Sequence, residues 1–220
     1  MAISASAQNV STDVVVFTIR DQRLMVLLVR RPRPPYAEYW SLPGGLVHEG
    51  EDLDACAKRV LQDRASVTGI YLEQLYTFGR PDRDPRGRVV TVTYYALAPQ
   101  ASLGESVLAE SEGRLWAPVD RLPVLAFDHA EIVDLAHQRL AAKLEYSTIA
   151  LQFMGERFTL SELQSVYEVI LGESLDKRNF RRRLRGLRCI EETGEWFRAG
   201  SHRPARLYRV RQPGRVDIIK

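Results

Sequence analysis

The chain has 220 residues, 45% of them apolar and 27% charged, with a formal net charge of +3 at pH 7. These are ordinary globular proportions that exclude disordered and fibrous classes, and the length allows more than one average domain but fewer than three. The longest uninterrupted apolar run, Leu24 to Val29, is too short to cross a bilayer, so no membrane partner is expected.

Met1 to Val10 has neither a basic start nor an apolar centre and is not read as a secretory leader. Two cysteines, Cys56 and Cys189, cannot build a disulfide framework or a closed structural zinc site. A reducing, cytoplasmic setting is therefore expected. The first half of the chain reads as strands with one clear helix. Asp13 to Arg20 and Leu24 to Arg30 are β-branched or aliphatic runs around the turn Asp21-Gln22-Arg23. Ile70 to Phe78 and Arg88 to Ala98 are further strands, separated by a loop rich in Pro and Gly from Gly79 to Gly87. Leu53, Ala57, Val60 and Leu61 follow the spacing of an amphipathic helix. Asp128 is placed to cap a second helix that runs to about Glu145 and links the two halves.

Beyond Ser147 the character changes. Ser147 to Met154 looks helical, and Thr159-Leu160-Ser161-Glu162 fits a capping box that opens the next helix. Gly172 ends that helix, and Asp176 caps a third, Lys177 to Leu187. The strand-like segments Cys189 to Phe197 and Arg206 to Val210 follow, flanking a tip from Arg198 to Pro204. Three helices and then a hairpin is the order of a winged helix. Residues 147–220 carry 15 basic against 9 acidic residues, a surplus of six, whereas residues 1–146 carry a deficit of three. Such a split points to two domains, the basic one a candidate for nucleic acid.

One stretch in the first half has the spacing of a catalytic box. Trp40-Ser41-Leu42-Pro43-Gly44-Gly45 leads into Gly45-x5-Glu51-x7-Arg59, which resembles the Nudix box. In that family the arginine is followed by glutamates that hold Mg²⁺ beside a diphosphate, while the glycines let the backbone approach it. Here the three glutamate positions are Val60, Asp63 and Arg64, and the expected glycine is Ser66. The three share one helix face, so one shortened acid and a fixed cation replace the carboxylate cluster. Pyrophosphate hydrolysis is expected to be lost, and no catalytic or metal-ligating residue is assigned. His48, His129 and His137 have no second ligand at suitable spacing.

The pocket can outlast the chemistry. Trp40 and Tyr36 either stack on a base or pack as core, and Arg30, Arg31 and Arg59 either meet phosphates or solvate a face. The effector-binding candidates are Arg30, Trp40, Gly44, Gly45, Glu51 and Arg59. Arg80, Arg83, Arg86 and Arg88 bind an anion or decorate a solvated loop. Tyr71, Tyr76, Phe78, Tyr94 and Tyr95 alternate at strand spacing and read as core.

On the third helix Phe180, Leu184 and Leu187 form the buried stripe, which turns Arg178, Arg182 and Arg185 outward with Lys177, Asn179 and Arg181 beside them. Arg pairs bidentately with guanine, Asn does so with adenine, and both cationic residue types neutralise phosphates. His202 and Arg203 at the wing tip complete the DNA-binding candidates.

Taken together, the altered box, Phe78-Gly79-x-Pro81-x-Arg83-Asp84-Pro85-Arg86-Gly87-Arg88, Leu125-Ala126-Phe127-Asp128-His129, Lys143-Leu144-Glu145-Tyr146-Ser147 and Asp176-Lys177-Arg178-Asn179-Phe180-Arg181-Arg182 resemble the Nudix-related transcriptional regulators of the NrtR family. The resemblance covers Val14 to about Val210. It implies an α+β Nudix fold with a mixed sheet over residues 1–126, a linker helix over 127–146 and a C-terminal winged helix-turn-helix domain over 147–220. It also implies a homodimeric repressor of NAD-synthesis or salvage genes that binds palindromic operator DNA, requires no cofactor and is released by ADP-ribose or a related nucleotide. Two alternatives remain open at this point. One is an active nucleoside-diphosphate hydrolase with an accessory basic domain; the other is a sugar-responsive regulator of the same family.

Overall fold

The computed structural model describes residues 9–184, 187–198 and 204–219. Seven strands form one sheet around β1 (Asn9–Arg20). β1 pairs antiparallel with β2 (Arg23–Arg30) over its C-terminal half and with the short β4 (Gly44–Leu46) over its N-terminal half. β3 (Trp40–Ser41) lies on the far side of β2. On the other flank β1 runs parallel to β6 (Val89–Leu97), and β5 (Tyr71–Phe78) forms the edge beyond it. β7 (Arg114–Pro118) also pairs with β2.

Val14, Val15, Val16 and Phe17 of β1 are all fully buried. A strand covered on both faces reads as a continuous apolar run rather than an alternating one. One cover is α1 (Leu53–Val60), extended by a wide π-helical turn over Leu61–Ala65. Its buried stripe of Cys56, Ala57, Val60, Leu61 and Ala65 packs on Val14, Val16 and Leu27. A single turn, α2 (Glu105–Leu108), closes that side through Val107. The other cover is α3 (His129–Tyr146), whose Ile132, Val133, Ala136, Leu140 and Leu144 join Val15, Phe17 and Tyr95. At 18 residues it is roughly 27 Å long.

The apolar cluster under α3 does not stop at its end. It continues through Ile149, Phe153 and Phe158 into Leu163, Val166, Tyr167 and Ile170 of α4 (Leu160–Leu171) and Phe180 and Leu184 of α5 (Lys177–Leu184). Phe180 meets Tyr167 edge to face at 5.2 Å, an arrangement that aromatic quadrupoles favour. β8 (Ile190–Phe197) and β9 (Ala205–Val210) form the antiparallel wing, and a bridge between Phe158 and Tyr208 ties the wing to the start of α4.

The local signals around α4 and α5 appear as atoms. Thr159 Oγ1 accepts from Glu162 N–H at 3.2 Å, while Thr159 N–H donates to Glu162 Oε2 at 2.6 Å. Gly172 closes α4 at φ +70°, a left-handed conformation in which a side chain would be strained. Asp176 Oδ1 accepts from Asn179 N–H at 2.8 Å. Two expectations change. Ser147 to Met154 holds a 3₁₀ turn, Ile149–Phe153, instead of an α-helix, because all five of its residues are buried and the Thr148 N–H and the Gln152 amide donate to the Asp217 and Arg215 carbonyls of the C-terminal segment. Asp128 sits at the N-cap of α3 but caps nothing, since its carboxylate is taken by Arg83. Among the described residues no helix is long and apolar enough to cross a membrane.

Candidate functional site

A cavity of about 880 Å³ opens between the ends of β1 and β2, the glycine strand β4, the end of α1 and the start of α3. Its floor is a buried charge network. Arg83 donates through Nε and Nη2 to Asp128 at 2.9 and 2.7 Å, with Asp13 3.7 Å from the same guanidinium. The Arg83 and Asp128 side chains are only 4% and 2% exposed. Arg83 is thus an interior residue and not part of a solvated loop. Asp13 is further held by the Thr91 hydroxyl at 2.7 Å. Leu42 N–H donates to His129 Nδ1 at 2.9 Å, which leaves Nε2 to carry the proton of the neutral ring facing Asp13. Burial drives the His129 pKa below its ordinary value, against the pull of Asp13 and Asp128.

The glycines serve this network. Gly44 and Gly45 lie in a strand, not a turn. A Cβ on Gly44 would fall 2.0 Å from Asp13 Oδ1, and one on Gly45 would press Val60 at 3.1 Å. The box arginine is also committed. Arg59 makes a two-pronged pair with Glu51 at 2.6 and 2.8 Å and donates to the Leu46 carbonyl at 3.0 Å. That pair, with the His48 N–H, holds the Glu51 carboxyl down to about 2. Glu51 stands outside the cavity lining. It fixes the loop before α1 instead of facing a ligand.

Among the described residues seven arginines line the cavity, and four of them have a close carboxylate partner. Arg30 meets Glu38 at 2.6 Å, Arg59 meets Glu51, Arg83 meets Asp128, and Arg86 meets Asp84 at 2.7 Å. Asp13 and Asp63 are second, longer partners of Arg83 and Arg59, at 3.7 and 4.0 Å. Arg31, Arg33 and Arg64 have no carboxylate within salt-bridge distance among the described residues. Phe127 lines the cavity and is held at φ +56°. Arg31 lies over its ring at 4.6 Å and Tyr36 meets its edge at 4.9 Å. Trp40 does not line the cavity; it packs against the core and its carbonyl accepts from Ala126 N–H.

The box positions do not fit a divalent cation. Val60 is 1% exposed and packs in the core, Asp63 is the only acid of the three, and Arg64 adds a cation to the same cavity lining. No cluster of three His, Cys, Asp or Glu side chains suits a metal among the described residues. Ser66, where the box has glycine, keeps a left-handed φ of +58°. The backbone course of the box thus outlasts its acids.

At the other end of α3, Lys177, Arg178, Asn179, Arg181 and Arg182 are exposed on α5, and Phe180 and Leu184 face inward as their spacing requires. Arg185, His202 and Arg203 lie outside the described residues. Arg183, not singled out by the periodicity, turns back and donates to the carbonyls of Leu144 and Glu145 at 2.8 and 2.6 Å. It clamps the C-terminus of α3. Tyr94 and Tyr95 are core, but Tyr76 on the edge strand is 57% exposed beside Phe78.

Residues 8–136 match the NUDIX domain, and residues 150–210 match the NrtR DNA-binding winged helix domain. This chain belongs to the NrtR family. A relative from Acinetobacter baylyi, named ADPR responsive transcriptional repressor NtrR, is 38% identical over 90% of this chain and 80% of its own length. NrtR from Shewanella oneidensis, crystallised with a 27mer DNA, superposes with a TM-score of 0.84 at 38% identity, covering 92% of this chain and 93% of that one. The NUDIX domain of the same NrtR, crystallised with ADP ribose, matches 61% of this chain and 90% of that one at 38% identity and a TM-score of 0.53. The fold read from the sequence, a mixed-sheet Nudix domain followed by a winged helix, is the fold of this NrtR family member.

Proposed function

We propose that this chain is a transcriptional repressor that binds operator DNA through its winged helix and releases it when ADP-ribose fills the N-terminal cavity. The observation that carries the reading is the placement of α3. Its N-cap Asp128 and first residue His129 are bonded into the cavity floor, and its last carbonyls are held by Arg183 of the basic helix α5. The names of the Acinetobacter and Shewanella relatives support the same assignment.

In this reading Phe127 and Arg31 form the wall on which a base or ribose rests, and the cavity arginines meet the diphosphate. Arg30, Gly44, Gly45 and Arg59 line that cavity, while Trp40 and Glu51 support it from behind. Lys177, Arg178, Asn179, Arg181 and Arg182 enter the major groove. Arg185, His202 and Arg203 are assigned to DNA on sequence alone. Two copies related by a two-fold axis would read a palindrome with half-sites one helical turn apart or a multiple of it. No hydrolytic role is proposed, since Val60, Asp63 and Arg64 cannot form the paired carboxylates that the reaction needs. The domain limits we adopt are residues 1–126, 127–146 and 147–220.

Fluorescence anisotropy with DNA from upstream of the neighbouring operon, at fixed salt, tests the proposal. Sequence-dependent binding that ADP-ribose weakens is expected. Arg182→Ala should weaken operator binding by roughly tenfold or more and leave ADP-ribose affinity unchanged. Operator binding indifferent to ADP-ribose would reassign the effector, with sugars tried next. Absence of specific binding would overturn the repressor reading.

A further inference from the structure

We propose that Arg64, with Arg31, supplies in this chain the positive charge that a divalent cation supplies in the Nudix box, so that a diphosphate ligand binds without metal. The proposal rests on the reading of the cavity as a nucleotide-diphosphate site and deepens it. Arg64 occupies a position that the box reserves for a glutamate, and it lines the cavity from the wide turn Leu61–Ala65. Neither Arg64 nor Arg31 has a carboxylate within salt-bridge distance among the described residues, whereas Arg30, Arg59, Arg83 and Arg86 are each engaged by one. Arg31 commits its Nε to the Pro35 carbonyl at 3.0 Å and holds its Cζ 4.6 Å from the centre of the Phe127 ring. Its remaining N–H groups are left for a ligand.

The electrostatics point the same way. Burial and the nearby cations Arg86 and Arg64 depress the Arg31 pKa, against the opposing pull of Asp84 and Asp13. Cations brought together this way repel one another, and a bound anion relieves that repulsion. A guanidinium is planar and meets two phosphate oxygens at once, which a hydrated ion cannot do with the same directionality. The remaining acid, Asp63, lies 4.0 Å from Arg59 and is sequence neighbour to Arg64. A divalent cation placed beside it would share the cavity lining with the Arg64 cation and be repelled by it, so the same residue that holds the diphosphate disfavours the metal.

Calorimetric titration of ADP-ribose into the full chain, once with EDTA and once with excess Mg²⁺, tests this. The same affinity in both buffers is expected, and Arg64→Ala should bind at least about tenfold more weakly in both. The variant should fold normally, because Arg64 is exposed and unpaired among the described residues; unchanged operator binding without ADP-ribose provides the check. Binding by the unaltered chain that disappears in EDTA and returns with Mg²⁺ would overturn the metal-free site while leaving ADP-ribose as effector. Equal affinity of Arg64→Ala and the unaltered chain would overturn the role of Arg64. Absence of ADP-ribose binding in either buffer would overturn both the inference and the functional reading beneath it.

Discussion

Replacing Arg83 by methionine keeps much of its length and removes its charge and five donors. The structure predicts a large loss of stability. Arg83 and Asp128 are 4% and 2% exposed and share two hydrogen bonds of 2.9 and 2.7 Å. In Arg83→Met, Asp128 would be left without its cation, and Asp13 would keep only the Thr91 hydroxyl and the neutral His129 ring. Leaving one buried partner unmatched costs about 3–5 kcal/mol. For a chain of this size each kcal/mol lowers the thermal midpoint by about 2–4 °C, so the midpoint should fall by roughly 6–20 °C. The double variant Arg83→Met/Asp128→Leu removes both charges and should recover part of that loss. Arg23→Met breaks a surface pair with Asp120, whose side chains are 41% and 73% exposed, and should cost less than about 1 kcal/mol. Thermal unfolding followed by circular dichroism reads all three. An Arg83→Met midpoint within about 1 °C of the unaltered chain would refute the buried network.

Glu51 is held down to about 2 by Arg59, so its contribution is complete above its ordinary value of 4.5 and is lost as the pH falls toward 2. The stability difference between the unaltered chain and Glu51→Gln, measured by urea unfolding, should therefore be constant from pH 7 to 5 and shrink at lower pH; a constant difference down to pH 2.5 would refute the pair. Burial keeps His129 neutral, so the unfolded chain takes up the proton first and stability should decline as the pH falls below 6.5. Urea midpoints of His129→Gln should lack that part of the decline, and parallel curves would contradict the buried neutral ring. Arg183→Ala removes two donors from the C-terminus of α3, each worth about 1–2 kcal/mol. It should bind ADP-ribose normally yet show a reduced effect of ADP-ribose on operator affinity, read by anisotropy; an undiminished effect would remove Arg183 from the coupling.

Short-range chemistry carried most of what the sequence revealed. The Thr159–Glu162 box, the Asp176 cap and the Phe180–Leu184 stripe each involve residues three or four apart, and each appears as expected. Elements defined by distant partners were not legible. β3, β4 and β7 are two to five residues long and exist because β1 and β2 offer them hydrogen bonds. Asp128 has the look of a cap, but a partner 45 residues away outbids the helix N-terminus for its carboxylate. The same long-range pairing turned Arg83 from a loop cation into the centre of the cavity floor. Phe127 drew no attention as a site residue because its inward placement depends on a left-handed backbone that an aromatic residue rarely adopts. The altered box was legible because its spacing is local. What the spacing did not reveal is that Glu51 and Arg59 consume each other.

The coupling of cavity to DNA face through α3 is tested most directly by titrating ADP-ribose calorimetrically into the full chain, once free and once saturated with operator DNA. Linkage requires that whatever factor ADP-ribose takes from operator affinity, the operator takes from ADP-ribose affinity. A weaker ADP-ribose affinity in the DNA complex, by the same factor that anisotropy gives for operator release, is the predicted result. Equal affinities for ADP-ribose in the free and DNA-bound chain would mean that the two ends of α3 do not communicate.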